Sequence, residues 1–300
     1  MSCEHKRGQN PLVSVVIPAY NRADTIRDCL NSIQAQTYQN WEAIAVDDGS
    51  IDGTADLAEE MGRENTNIRV IRQGRNRGAQ AARNLGIRAS RGEWIAFLDS
   101  DDQFLPESIE MRMALAQREA VEVVHSECYI VRTDAVMSPY GVPPLNGKIY
   151  SKLLLSVGPV FPTLLVSKAA LERIGYLDEQ IVAFQEWDTV IRLAQFYSFG
   201  FETKPTFVYN CRNEGTISKD FVLNGRGYEQ VFRKHLFSVL RHAGPRALAK
   251  HYRVAAVWYE GGRDQKAVRR CRRMALMWSS LDPRTGLNKV RQVLLPQATN

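Results

Sequence analysis

Two hydrophobic rhythms alternate through the first hundred residues. Short, mainly apolar runs at 12–17 (LVSVVI), 41–46 (WEAIAV), 68–71 (IRVI) and 94–98 (WIAFL) read as buried strands. Between them lie helical patterns. Ile26, Leu30 and Ile33 fall at i, i+4 and i+7 on one face, with Asp24 placed to cap that helix. Residues 54–63 follow the Asp52-Gly53 turn signal, and 78–89 (GAQAARNLGIRA) form a small-residue helix able to lie close on a sheet. Pro18 is expected to end the first strand, because it has no N–H for a central ladder.

Strand–helix alternation of this kind predicts an α/β fold: a Rossmann-like, mostly parallel central sheet with helices on both faces. In such sheets ligands bind beyond the carboxyl ends of the strands. Three polar clusters sit at those ends: Pro18-Ala19-Tyr20-Asn21, Asp47-Asp48-Gly49-Ser50 and Asp99-Ser100-Asp101-Asp102. Further along, the pattern predicts a helix at 106–117 and a long strand at 121–131. Three prolines and two glycines in 138–147 (SPYGVPPLNG) predict a loop or lid. A helix at 186–196, a strand at 201–209 and a mainly helical region from 223 complete the reading. A boundary is placed near 220, giving domains 1–220 and 221–300.

Composition adds exclusions. The 300 residues are 44% hydrophobic and 24% charged, an ordinary profile for a folded soluble chain. No run approaches about 18 apolar residues, and MSCEHKRGQN lacks the apolar core of a signal peptide, so a cytoplasmic location is expected. Five scattered cysteines without CxxC spacing, and five histidines without HExxH, indicate neither a zinc ribbon nor a disulfide frame. Charge is uneven. Residues 201–300 hold 19 Lys/Arg against 7 Asp/Glu, a net +12, whereas 1–200 hold 20 against 26, a net −6. The stretch RDQKAVRRCRRMALMWSSL sets Arg269, Arg270, Arg272 and Arg273 beside Met274, Leu276, Met277 and Trp278. Such a helix fits an anionic membrane surface, or packs on the catalytic domain with a solvated outer face.

The acidic knot after the fourth strand carries the chemistry. Asp99, Asp101 and Asp102 repel one another, so a cation is expected among them. Asp99 and Asp101, two apart, project to the same side of a strand end. Magnesium and manganese take oxygen ligands of this type, commonly one or two carboxylates with phosphate oxygens. The alternative is a capping cluster for the helix near 106, a role that suits Asp102.

SVVIPAYNRADTIRDCLNSIQAQTYQNWEAIAVDDGSIDGT, followed by NRGAQAARNLGIRASRGEWIAFLDSDD, closely resembles the family 2 inverting glycosyltransferases with a GT-A fold, over roughly residues 12–220. The resemblance implies transfer of a sugar from a nucleoside-diphosphate sugar to an acceptor hydroxyl, with Mn2+ or Mg2+ held by a DxD motif. Asp99-Ser100-Asp101 would be that motif, with Asp101 the direct metal ligand. Pro18, Tyr20 and Asn21 would form the first nucleotide-contacting loop, and Asp47 or Asp48 would accept from the base. Arg83 would lie near the nucleotide or orient the DxD carboxylates, its alternative being an ordinary helix-surface cation. The general base falls on Glu186 or Asp188 of Gln185-Glu186-Trp187-Asp188, where Glu186 replaces the usual aspartate. Residues two apart on a helix face differently, so one of them enters the site, and Glu186 is chosen. Acids in a first helical turn also compensate the helix dipole without any catalytic role. Arg212 would contact the diphosphate.

The acceptor implied is a saccharide or a lipid-linked glycan, and no nucleic-acid module is recognisable. Two rivals stand beside this reading. A sugar nucleotidyltransferase would want a glycine-rich basic loop where PAYNRADT stands. A non-catalytic nucleotide-binding protein would have no use for Asp99, Asp101 and Glu186 together. GxGxxG after the first strand and GxxxxGK[ST] are both absent.

Overall fold

A computed structural model describes residues 10–132, 136–211 and 220–281. The four apolar runs become β1 (Val13–Ala19), β2 (Trp41–Asp47), β3 (Ile68–Arg72) and β4 (Trp94–Phe97). They are linked by α1 (Ile26–Gln34), α2 (Thr54–Glu64) and α3 (Ala79–Ala89). Then come β5 (Gln103–Phe104), α4 (Ser108–Glu119), β6 (Val123–Val131), β7 (Met137–Tyr140) and α5 (Tyr150–Leu153). Next are β8 (Leu165–Ser167), α6 (Lys168–Arg173), α7 (Gln185–Ala194) and β9 (Phe199–Asn210). Four helices close the described chain: α8 (Phe221–Lys234), α9 (Leu236–Ala243), α10 (Pro245–Gly261) and α11 (Gln265–Ser280).

One sheet runs β3-β2-β1-β4-β8-β6-β9-β5, with β7 added on β6. Its first half is parallel, as the alternation predicts. The second half is mixed: β8 is antiparallel to both neighbours, β6 and β9 are parallel to each other, β5 is antiparallel to β9, and β7 is antiparallel to β6. The sequence pattern does not show this, because an antiparallel neighbour needs no helical crossover to announce it.

β1 is buried on both faces. Val13, Val15, Ile17 and Ala19 share a core with Ile26, Leu30 and Ile33 of α1 and with Ile109 and Met113 of α4. On the other face Ile44 and Val46 meet Ala82 of α3. Gly86 explains how closely α3 sits: a Cβ there would come 2.5 Å from Val16 Cγ1. Any side chain at that turn of α3 would push the helix off the sheet.

Three local expectations are corrected. β1 continues through Pro18, paired with Val46 of β2. The β4 ladder already ends at Val16–Phe97, and Val16 O accepts from Leu98 N, so even-numbered positions of β1 face β4. Pro18 therefore lacks a donor on the side where no further pair forms. The segment 138–147 is not all loop, since Met137–Tyr140 pairs with Cys128–Val131 of β6. Asp24 is exposed and caps nothing, because the Arg22 carbonyl accepts from Thr25 and Ile26 N–H at the start of α1.

The chain forms two compact units. The first draws its described residues from Met1–Ile149, Gly158–Glu179 and Thr189–Glu214, and contains the sheet. The second draws on Tyr150–Val157, Gln180–Asp188 and Gly215–Asn300, so two earlier segments join the C-terminal helices instead of one cut near 220. Its core gathers Trp187, Tyr228, Phe232 and His251, with the Phe232 and His251 rings stacked 5.3 Å apart. The Trp187 indole N–H donates to Leu153 O at 2.7 Å, and Tyr228 Oη lies 2.9 Å from His251 Nδ1.

His125 of β6 gives the first unit a titration signature. It is fully buried, its Nε2 lies 2.7 Å from the Leu145 carbonyl, and burial lowers its pKa to about 4. The unfolded chain, near 6.5, binds the proton first, so stability is full above about pH 6.5 and falls as pH drops toward 4. The expected loss between pH 8 and pH 5 is about 2 kcal/mol. His125→Gln, which retains a donor, should flatten that limb in urea melts at the two pH values.

Candidate functional site

The site grows from the carboxyl ends of β1, β2 and β4. Their parallel register brings Ala19 beside Asp47, and β4 ends beside Val16–Ile17, so the three polar clusters share one rim. Loop one is stitched to loop two. Asn21, in a left-handed conformation at φ 50°, donates its N–H to Ser50 Oγ (2.9 Å) and accepts from Ile51 N with its side chain (3.1 Å). Arg22 N donates to Thr54 Oγ1 at 2.7 Å, and Ala23 N to Asp52 at 3.0 Å. Tyr20 stands out at this rim as an exposed ring.

The two aspartates after β2 differ. Asp47 accepts from Ser50 N at 3.2–3.3 Å, which tightens the turn. Asp48 is buried, and both of its oxygens are engaged. Gln73 Nε2 (2.8 Å), Arg77 N (2.7 Å) and Gly78 N (2.8 Å) all donate to it. Asp48 thus anchors the β3–α3 loop, and of the expected base acceptors Asp47 is the one less committed to that loop.

Beyond β4 each of the paired carboxylates meets an arginine. Arg83, buried on α3, donates to Asp99 Oδ1 and to Gln80 Oε1, and its guanidinium lies 4.5 Å over the Phe161 ring. This is not an ordinary surface cation. Arg22 Nε lies 3.6 Å from Asp101 Oδ2. The Cys29 thiol, beneath the knot, points at Asp99 O at 3.6 Å. Burial, then the charges of Asp102, Asp99 and Asp101, pushes that thiol well up, so it stays protonated and inert. Ser100 is buried between the two carboxylates.

Asp102 corrects the capping expectation. Its Oδ1 accepts from Asn210 N of β9 at 2.8 Å and does not cap α4, whose N-terminal residue Glu107 also makes no side-chain cap. Burial first, then the charge of Asp99, raises its pKa well above the ordinary carboxylate range. The knot therefore sets the partly exposed Asp99 and Asp101 over the buried Asp102, which gives up its proton less readily than an ordinary carboxyl group.

Asp99 and Asp101 fit a divalent cation by donor type, two carboxylates at i and i+2 on one strand end. Among the described residues no group of three His, Cys, Asp or Glu side chains converges into a preformed cage. A pair completes its coordination with ligand oxygens and water, the habit of magnesium-type sites.

Glu186 and Asp188 lie in the second unit, on the first turn of α7. The stripe Trp187, Val190, Ile191 and Ala194 is buried as its spacing predicts. Asp188 is fully buried, accepting from Lys234 Nζ at 2.9–3.0 Å and lying 2.8 Å from His235 Nε2. Glu186 is half-buried. Arg212 lies outside the described residues.

Sequence reasoning missed Arg22, Gln80 and Phe161. Arg22 carried a faint signal, a cation directly after the first loop. Phe161 carried none, since only the folded sheet brings residue 161 over residue 83.

Residues 14–156 match the sequence model of the family described as glycosyl transferase family 2. The putative glycosyltransferase EpsH of Bacillus subtilis is 43% identical over 116 residues, covering 39% of this chain and 33% of its own length. This chain thus spans about a third of that relative. An Escherichia coli UDP-Glc:alpha-D-GlcNAc-diphosphoundecaprenol beta-1,3-glucosyltransferase, WfaP, is 28% identical over 254 residues, covering 83% of this chain and 92% of the relative. Among solved structures, the mannosyltransferase PcManGT of Pyrobaculum calidifontis, in complex with GDP-Man and Mn2+, superposes with a TM-score of 0.61 at 18% identity. That match covers 90% of this chain and 85% of the other. The last likeness shows a shared fold.

Proposed function

Because residues 14–156 match glycosyl transferase family 2, we propose that the chain transfers a sugar from a uridine-diphosphate sugar to a hydroxyl of a lipid-linked or free saccharide, with inversion at the anomeric carbon. The observation that carries the reading is the rim of the first unit. There Asp99 and Asp101, each matched to an arginine, share one edge with the Tyr20 loop and Asp47. UDP-Glc and the diphosphoundecaprenol-linked acceptor are what the WfaP relative is named for, and they support the donor and acceptor classes.

In this reading Tyr20 offers its exposed ring to the base, and Asp47 accepts a base N–H. Asp99 and Asp101 would hold Mn2+ or Mg2+, which would supply positive charge against the departing diphosphate. Arg83 keeps Asp99 in position through its hydrogen bond, and Phe161 keeps Arg83 flat. Glu186 removes the proton from the acceptor hydroxyl as its oxygen attacks the anomeric carbon from the face opposite the diphosphate. The rim of the first unit binds the donor, and a lipid-borne acceptor would suit a protein that works at a membrane surface.

A thermal-shift titration tests the donor reading. At 100 times the dissociation constant, UDP with Mn2+ is expected to stabilise the protein by about 2.7 kcal/mol, a rise of a few degrees in Tm. UDP alone should give less. If neither UDP nor any other nucleoside diphosphate shifts Tm, with or without Mn2+, the reading fails.

A further inference from the structure

The outer face of the α10–α11 hairpin is doubly amphipathic. A three-residue turn, 262–264, joins the helices, and they lie side by side with Arg272 Nη2 3.1 Å from Glu260. At 100° per residue, Lys266, Arg269, Arg273, Leu276 and Met277 of α11 fall within one arc, opposite the buried Ala267, Val268, Cys271 and Ala275. On α10 the exposed stripe is Lys250, Arg253 and Val257. Glu260 and Arg272 stand at the edges of their arcs, so their ion pair joins the two outward faces into one.

Two properties of this face point to one partner. Residues 245–281 carry 9 Lys/Arg against 2 Asp/Glu, a net +7. The two acids are committed, Glu260 to Arg272 and Asp264 to the α11 N-terminus, where it accepts from Ala267 N. Arg270 is likewise absorbed by the buried Glu229. Lys250, Arg253, Lys266, Arg269 and Arg273 are exposed and have no acidic partner among the described residues. Among these cations stand bare aliphatic side chains, Leu276 72% and Val257 67% exposed, with Met277 beside them. A solvated face has no use for them, and a nucleic-acid backbone offers aliphatic carbon nothing to pack on. A layer of anionic headgroups over acyl chains satisfies both sets at once.

We propose that the outer face of α10 and α11 docks the protein on an anionic lipid surface, Lys250, Arg253, Lys266, Arg269 and Arg273 lying on headgroup phosphates with Leu276 and Met277 reaching below them. The inference goes beyond the transferase reading and is tested with neither donor nor metal present, so either can fail alone. No covalent step is involved. The contact is reversible and weakened by salt.

Flotation of the full chain with vesicles of phosphatidylglycerol and phosphatidylcholine in equal parts is expected to recover it in the lipid fraction; pure phosphatidylcholine should not. Each basic side chain near such a surface contributes roughly fivefold, so Arg269→Gln with Arg273→Gln should lower partitioning about 25-fold. Leu276→Ser with Met277→Ser should also lower it and leave a remainder that salt abolishes. Arg63→Gln with Arg118→Gln, exposed cations of the first unit, should change little. All these positions are on the surface, and unchanged melting temperatures establish that the variants fold. Absence of flotation overturns the proposal. So does an equal loss in the Arg63/Arg118 pair, which would reduce the effect to net charge. Binding of poly-uridylate that the Arg269/Arg273 pair abolishes while vesicle binding persists would assign the face to nucleic acid and overturn it as well.

Discussion

Asp101→Asn is expected to lower the rate of nucleoside-diphosphate release from a sugar donor by about 10²–10³ while leaving the free protein at least as stable as before. The two halves of that expectation have one cause. Asp99, Asp101 and Asp102 crowd three carboxyl groups into one strand end, with Arg83 against Asp99 and Arg22 near Asp101. Asparagine keeps the size of Asp101, and the repulsion it relieves offsets the long ion pair it gives up to Arg22. Under the proposed function it also removes a ligand for the cation that would balance the diphosphate, an interaction strongest as the leaving group departs. The Mn2+-dependent part of the UDP thermal shift should disappear with it. Initial rates and melting curves on one preparation check both halves. A near-normal rate would take Asp101 out of the site. A fall in apo Tm of many degrees would instead make it a structural residue.

The parallel half of the sheet and its polar rim were legible because both follow from local rules. Apolar runs of four to seven residues make strands, polar punctuation closes them, and parallel strands put those closures on one edge. Pro18 misled by one step, since whether a missing N–H matters depends on whether a partner strand still runs alongside it. Asp48 and Asp102 show where local reading stops. Each looks like its neighbour in sequence, yet Asp48 holds a loop 25–30 residues away and Asp102 holds β9 across 108 residues. Partners from distant segments, with Asp47 as buried as Asp48, separate the structural carboxylates from the candidate site ones, and such partners are a tertiary property. The same holds for Arg83, whose exposed-helix pattern conceals that Phe161 and Asp99 close over it. The basic C-terminal run was visible as charge. Its division into arginines absorbed by Glu229 and Glu260 and cations facing outward was not.

Glu186→Gln and Asp188→Asn should fail in different ways, although the two residues are neighbours on one helical turn. Asp188 is fully buried between Lys234 and His235. Removing its charge leaves the Lys234 ammonium and the His235 ring beside a neutral amide with one accepting oxygen in place of two, a loss of about 2–3 kcal/mol, reduced because Lys234 is a third exposed. The melting temperature should fall by several degrees. Turnover should fall only as far as α7 loses its place, with KM and kcat moving together. Glu186 is half-buried on the same turn, and its replacement by glutamine keeps shape and hydrogen-bonding reach. Stability should hold within about 0.5 kcal/mol. The rate of transfer to acceptor should drop by about 10²–10⁴, in kcat and not in donor KM, because a general base acts only as the proton leaves the acceptor hydroxyl. Donor binding, read by UDP thermal shift, should be untouched. Steady-state kinetics against acceptor, paired with melts, separates the two residues. If Asp188→Asn loses turnover with its melting temperature intact, the base is Asp188 and the assignment reverses.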